Sequence, residues 1–275
     1  MLSPTSAGEP ADRTLTAAQA LALGLLHGPA ELLPISSSAH TSAVPWLLGW
    51  RYGQLEPEVR KSFEVALHAG TALALLTSLR GALPGRRSAL VLALASAPPA
   101  IAGYALEREI ERRMGSPATI AAGLLAGSVA MALADRRPQY RRRRDARPSD
   151  GLCLGVAQAC ALVPGISRAG ATRSAARWLR FQRTDARRLS DEVALPVLAG
   201  ASLLTGARLS RRGLEPQLVP TFALGATASF ASTAVCVGLA RRRTASGRLM
   251  PYVAYRVGLA GLLLIRLRRG RRHPR

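Results

Sequence analysis

Two short runs in this sequence concentrate groups that bind and transform phosphate. The first is Pro34-Ile35-Ser36-Ser37-Ser38-Ala39-His40, preceded by His27 and Glu31; the second is Pro164-Gly165-Ile166-Ser167-Arg168-Ala169-Gly170-Ala171-Thr172. A phosphoryl-transfer site consists mostly of positioning plus electrostatic stabilisation of the transferred group. Ser36, Ser37 and Ser38 offer hydroxyls and, at a helix start, free backbone N–H groups that bind anions. Arg168 offers a planar fork suited to phosphate, with Ser167 and Thr172 as donors beside it. A carboxylate such as Glu31 can hold a divalent metal or act as a base, and the imidazole of His40 can transfer a proton near neutral pH. His27 lies four residues before Glu31, so on a helix the two share a face. Taken singly, each has a structural alternative: serines cap helices, an arginine snorkels, a histidine pairs with backbone. Their convergence in two bends favours a site, because an ionisable residue inside a membrane stretch is functional by default.

The stretches that carry these runs, about 15 to 49 and 151 to 180, are apolar but broken in the middle by proline and small hydroxylated residues. Proline removes a helical donor and disfavours helix in the residue before it, so each stretch is expected to be two short helices around a bend. Irregular backbone at membrane depth is tolerated only where protein or a wet cavity surrounds it. Both are therefore expected to be re-entrant hairpins whose bends meet in a shared polar pocket.

Six further stretches have the length of membrane spans: about 63 to 79, 88 to 106, 117 to 134, 190 to 207, 218 to 240 and 251 to 267. The mean hydropathy of +0.13 conceals this segregation. Val91 to Ala102, Ile120 to Ala134 and Pro220 to Ala240 contain no charged residue, while arginines crowd the gaps. The expected fold class is an all-α integral membrane protein with six transmembrane helices plus two re-entrant helical hairpins. Pro34 and Pro164 differ by the same interval as Ala69-Gly70 and Ala199-Gly200, with Thr77 and Thr205 closing similar runs. Each half then holds one hairpin and three spans, and an odd number of spans makes the repeat inverted. The expected organisation is a polar tail over 1–13, a membrane domain over 14–267 with halves 14–135 and 150–267 joined by a basic loop, and a basic tail over 268–275.

A net charge of +22 would point to nucleic acid on a soluble chain. Here the basic runs end apolar stretches, where anionic lipid head groups lie, and aromatic residues make up only 4%, too few for stacking platforms. Grouping Arg80 to Arg87, Arg136 to Arg147, Arg183 to Arg188 and Arg241 to Arg248 on the cytoplasmic side makes the first hairpin enter from outside. The basic tail Arg266 to Arg275 then falls outside, against the rule. Met1 to Arg13 lacks a basic region and cleavage site before an apolar core, so the chain is expected to insert through its own spans. Cys153, Cys160 and Cys236 have neither metal-ligand nor disulfide spacing and read as small packing residues.

The run Gly28-Pro29-Ala30-Glu31-Leu32-Leu33-Pro34-Ile35-Ser36-Ser37-Ser38-Ala39-His40 resembles the first signature of the undecaprenyl-diphosphate phosphatase family, the bacitracin-resistance type, and Pro164 to Thr172 is similar to its second. Phe63-Glu64-Val65 with Gly70, and Ala254-Tyr255-Arg256, extend the resemblance from about residue 17 to 265. It implies a multi-pass enzyme of the bacterial plasma membrane, acting at the outer face on a polyprenyl diphosphate. The implied product is the monophosphate carrier of cell-wall polymers, with a divalent ion (Mg²⁺ or Ca²⁺) as cofactor and a homodimer as assembly. By motif, Glu31 would serve metal binding or base catalysis, His40 proton transfer or nucleophilic attack, Ser37 nucleophilic attack, and Arg168 clamping of the diphosphate, with Ser36, Ser38, Ser167 and Thr172 as further substrate donors. A serine, the histidine and a metal-held water all remain open as nucleophile.

The sequence departs from the family pattern at His27, where a glutamate or glutamine is usual and would join Glu31 in holding metal; imidazole prefers softer ions than Mg²⁺ or Ca²⁺. Ala169 stands where a serine usually follows the motif arginine. Arg173, Arg177 and Arg180, with Asp191 and Glu192 in the next span, put charge where the family is apolar, and these are expected to pair across helices. An inverted repeat would equally serve a carrier that moves the lipid monophosphate across the membrane. The extra charges and His27 are what a catalytically silent relative would carry.

Overall fold

The computed structural model describes residues 15–78, 86–212, 215–242 and 247–272. The polar N-terminal tail, most of Arg80 to Arg87, part of Arg241 to Arg248 and the last residues of the basic tail lie outside the described residues. The described chain is all-α, and its helices follow one order twice. Two short helices, α1 (Ala17–Leu32) and α2 (Ser37–Leu48), precede three long ones, α3 (Pro57–Ser78), α4 (Arg86–Met114) and α5 (Pro117–Asp135). Then come short α6 (Pro148–Cys160) and α7 (Arg168–Trp178) and long α8 (Arg183–Arg212), α9 (Val219–Arg242) and α10 (Met250–Arg272). Both apolar stretches are thus broken where proline and hydroxylated residues cluster, at 33–36 and 161–167.

Among the described residues four helical stretches are long and apolar enough to cross a membrane: Arg87–Leu106, Pro117–Asp135, Pro216–Leu239 and Met250–Arg269. The expected spans at 63 to 79 and 190 to 207 fall on α3 and α8, which are long helices but do not meet that measure. The first carries Arg60, Lys61, Glu64 and His68, and the second Asp191 and Glu192. Apolar side chains cover the outside of the bundle, among them Ile101, Val129, Leu133, Val235 and Leu262, as a hydrocarbon surround requires.

Packing between the halves is reciprocal: α1 lies along α9, and α6 along α4. Each contact rests on a Gly-x-x-x-Gly pair that lets backbones approach. A Cβ on Gly24 would sit 2.4 Å from Gly225 O, and one on Gly28 2.5 Å from Thr233 N. The counterparts on α6, Gly151 and Gly155, would meet Val91 O at 2.5 Å and Ala95 O at 2.9 Å.

The outer ends of α1 and α2 gather in one apolar cluster of Leu15, Tyr52, Phe63, Leu218 and Phe222. Those of α6 and α7 gather in another, with Ala146, Phe181, Ala186 and Val91. At this second end the basic loop is stitched down. Arg141 pairs with Asp150 at 2.6 Å, which raises its already high pKa, and forms a parallel bridge with Phe181. Asp135 accepts from Arg183 Nε at 3.3 Å and from Leu249 N at 3.2 Å. The start of α10 is therefore fixed at the basic end. With about 34 Å of helix between its termini, its other end, where Arg266 lies 5.4 Å over the Trp46 ring, is remote from that cluster.

Four of the five extra charges pair, in a pattern wider than expected, while Arg180 lies past the end of α7 at φ 70°. Arg173 lies 3.6 Å from Asp191, Arg177 4.0 Å from Asp135, and Glu192 meets Arg143 of the loop. Two of the cysteines correct their expected role: Cys153 and Cys160 are exposed on the bundle exterior and do not pack its interior, while Cys236 is half-buried.

Candidate functional site at the two bends

Glu31, at the end of α1, is the meeting point of the two bends. Its Oε2 accepts from Ser37 Oγ at 2.5 Å, and its Oε1 from Arg168 Nε at 2.9 Å. The α1 helix starts on a Thr16–Gln19 capping box and contains Pro29, whose carbonyl accepts from Leu33 N as the helix ends. Ser36 then takes φ 79°, a left-handed conformation unusual for a side chain with Cβ, and its hydroxyl caps α2 by accepting from Ala39 N at 3.3 Å. This sharp reversal returns Ser37 to the carboxylate six residues before it.

The second bend is built likewise. Gly165, at φ 92°, presses against Ile120 O, where a Cβ would stand 2.3 Å away, and Ser167 caps α7 through Gly170 N at 3.1 Å. Arg168, the first residue of α7, donates from Nη2 to Glu31 O at 3.2 Å and from Nη1 to Ser190 O at 3.2 Å. Five guanidinium N–H groups less the three so used leave two for a ligand. Arg256 of α10, fully buried, locks the bends together by donating to Pro34 O, Gly165 O, Gly123 O, Leu124 O and the Ser128 hydroxyl. From the other side Arg173 donates to Leu32 O at 2.6 Å.

The structure thus brings Glu31, Ser37 and Arg168 into direct contact. Ser38 is exposed beside them and shares a 3.2 Å hydrogen bond with Ser36. His40, one turn along α2, has both ring nitrogens engaged. Nδ1 lies 2.6 Å from Ser36 O, which can only accept, so Nδ1 carries the proton and Nε2 accepts from Tyr255 O–H at 2.7 Å. Ser167 and Thr172, expected as phosphate donors, are buried. The first hydroxyl caps α7, and the second bonds Arg168 O at 2.9 Å and Ser190 Oγ at 2.6 Å.

His27 is fully buried, with Nδ1 3.1 Å from Thr71 Oγ1 and 3.2 Å from Ser229 Oγ. One ligand atom each from His27, Glu31 and His68 lie within 4.8 Å of one another, a group able to hold a metal ion. His68 of α3 and Tyr255 of α10 sit inside the two weaker blocks of the resemblance, yet nothing in their local spacing marks them as site residues.

The chain matches the family described as bacitracin resistance protein BacA over residues 20–262. It is 39% identical over 265 residues to a protein of Geobacter sulfurreducens named undecaprenyl-diphosphatase, covering 89% of this chain and 96% of that one. Proteins of the same name from Geobacter metallireducens and Moorella thermoacetica are 36% and 33% identical, covering 89% and 91% of this chain and 96% and 97% of their own. With a match over most of its length and relatives spanned almost end to end, this chain belongs to the BacA family of undecaprenyl-diphosphatase-type phosphatases.

Proposed function

We propose that this protein hydrolyses undecaprenyl diphosphate to undecaprenyl phosphate and inorganic phosphate, recycling the cell-wall lipid carrier and so conferring bacitracin resistance. The observation that carries this conclusion is Glu31 bonded at once to Ser37 of its own bend and to Arg168 of the other. The reaction is assigned to the plasma membrane of a bacterium, with the α1–α2 bend opening outside. Six long helices cross the bilayer and the two short pairs are re-entrant, in an inverted repeat. The reciprocal packing of α1 on α9 and α6 on α4, and the two opposed end clusters, support that arrangement.

In the mechanism we favour, the two free Arg168 N–H groups and the first N–H groups of α2 hold the terminal phosphate. Ser37 Oγ attacks its phosphorus while Glu31 accepts the hydroxyl proton. The Ser37 O–P bond forms as the bridging P–O bond breaks, and undecaprenyl phosphate leaves. Glu31 loses that proton to bulk water as the product departs, then takes one from the water that attacks the phosphorus and returns it to Ser37 Oγ as inorganic phosphate leaves. Ser37 is preferred over His40 as nucleophile because its proton already points at a carboxylate, whereas His40 Nε2 is occupied by Tyr255.

The resemblance implies Mg²⁺ or Ca²⁺ as cofactor. These hard ions take oxygen ligands, whereas the available group offers one carboxylate beside two imidazoles, so the donor set does not fit them.

Phosphate release from undecaprenyl diphosphate by detergent-purified protein tests the reaction. Glu31→Gln is expected to slow release by about 10²–10⁴-fold, as loss of a general base does, and Ser37→Ala to reduce it to background. Wild-type rates in both variants would move the chemistry elsewhere. The repeated element order favours one further activity, movement of the lipid monophosphate across the membrane. A pure carrier would release no phosphate from the start.

A further inference from the structure

We propose that His27, Glu31 and His68 form a binding site for a divalent transition cation of the zinc class, in place of the Mg²⁺ or Ca²⁺ implied by the family. The position of this site beside the phosphate-holding bends rests on the phosphatase function; the binding of the ion does not.

The hydrogen bonds fix which atom of each imidazole is free. Ser229 donates its single hydroxyl proton to Leu67 O at 2.8 Å, so toward His27 Nδ1 it can only accept. The 3.2 Å Ser229 contact is therefore a hydrogen bond only with the ring proton on His27 Nδ1; the Thr71 hydroxyl at 3.1 Å accepts that proton too when it gives its own to Ser229 or Thr233, and Nε2 then carries the lone pair. That Nε2 is buried and has no hydrogen-bond partner among the described residues, a costly state for a polar atom. His68 Nδ1 lies 2.7 Å from Glu64 O and must donate to it, which again turns Nε2 inward, 3.6 Å from Glu31 Oε2. Two imidazole nitrogens anchored through Nδ1–H and presenting Nε2 form the arrangement by which proteins orient histidine ligands.

Two nitrogen lone pairs and a carboxylate within 4.8 Å, with no donor to the buried His27 Nε2, call for a cation among them. A proton on His68 would serve Glu31 but leave His27 Nε2 bare. Two histidines and a glutamate with open positions are the ligand set of catalytic zinc sites, and imidazole suits zinc-like ions far better than Mg²⁺ or Ca²⁺. Glu31 keeps ligand capacity although Ser37 and Arg168 already bond it, since a carboxylate has about four lone-pair sites. His68, 30% exposed at its side chain against 4% for Glu31, is the ligand nearest an opening.

The test is metal retention by the full-length protein, stripped with chelator in detergent and dialysed against Zn²⁺ in the presence of excess Mg²⁺. Wild type is expected to retain a single equivalent of Zn²⁺, and to give with Co²⁺ a visible absorption spectrum of nitrogen ligation. His27→Ala and His68→Ala should each lose both signals. Ser229→Ala, which keeps all three ligands but removes the acceptor that sets the His27 tautomer, should weaken Zn²⁺ binding by about 10–100-fold. His27→Glu should shift preference toward Mg²⁺. Wild type retaining no more Zn²⁺ than the His27→Ala/His68→Ala protein, or losing it to Mg²⁺, would overturn the proposal; the Co²⁺ spectrum of wild type needs no variant to fold. Zn²⁺ retained by a protein without phosphatase activity would uphold the metal site and contradict the phosphatase function.

Discussion

Ser37 and His40 stand one turn apart on α2, yet their surroundings equip them differently. The Ser37 hydroxyl faces a carboxylate at 2.5 Å, while His40 spans Ser36 O and the Tyr255 hydroxyl. Removing the Tyr255 hydroxyl frees His40 Nε2 without touching Ser37. Tyr255→Phe should therefore slow phosphate release by no more than about tenfold, the worth of one hydrogen bond. A several-fold gain would assign attack to His40. Glu31, Ser37 and Arg168 were legible in the sequence because a proline break beside a carboxylate, hydroxyls and a guanidinium is a local pattern. His68 and Tyr255 were not, because α3 and α10 bring them in from far along the chain and neither has a local partner that betrays its role.

At the scale of elements, the close approaches of α1 to α9 and of α6 to α4 hold the bends in register. A Cβ on Gly28 would stand 2.5 Å from backbone of α9, and one on Gly151 2.5 Å from backbone of α4; on Gly103 it would meet nothing within 4 Å among the described residues. Backbone cannot swing aside like a flexible side chain, so Gly28→Ala and Gly151→Ala should each destabilise by about 1–3 kcal/mol, as overpacking does. Gly103→Ala should leave thermal unfolding in detergent unchanged. Gly28→Ala should also slow phosphate release, since α1 carries Glu31. The breaks were readable from Pro34 and Pro164, whereas the character of α3 and α8 was not. Their lengths suit spans, but Glu64, His68, Asp191 and Glu192 interrupt the apolar run to serve the site and the arginines around it.

The molecule as a whole is two copies of one helix order, a short pair followed by three long helices. The sequence carried this repeat in the interval between Pro34 and Pro164. It could not carry the reciprocal exchange of α1 and α6 between halves, which depends on glycine pairs that look like ordinary small residues. With Cys153, Cys160 and Cys236 replaced by serine, Gly53→Cys should react with a membrane-impermeant thiol reagent in intact cells, and Arg144→Cys only after lysis. The reverse pattern would turn the protein over. Groups from both halves are proposed to act on one phosphate, and Arg168 is the contribution of the second half. Phosphate release from undecaprenyl diphosphate by Arg168→Ala should fall about 10²–10³-fold below wild type, the cost of removing a preorganised donor to developing charge; release within about twofold of wild type would contradict the account, since the second bend would then take no part in the chemistry.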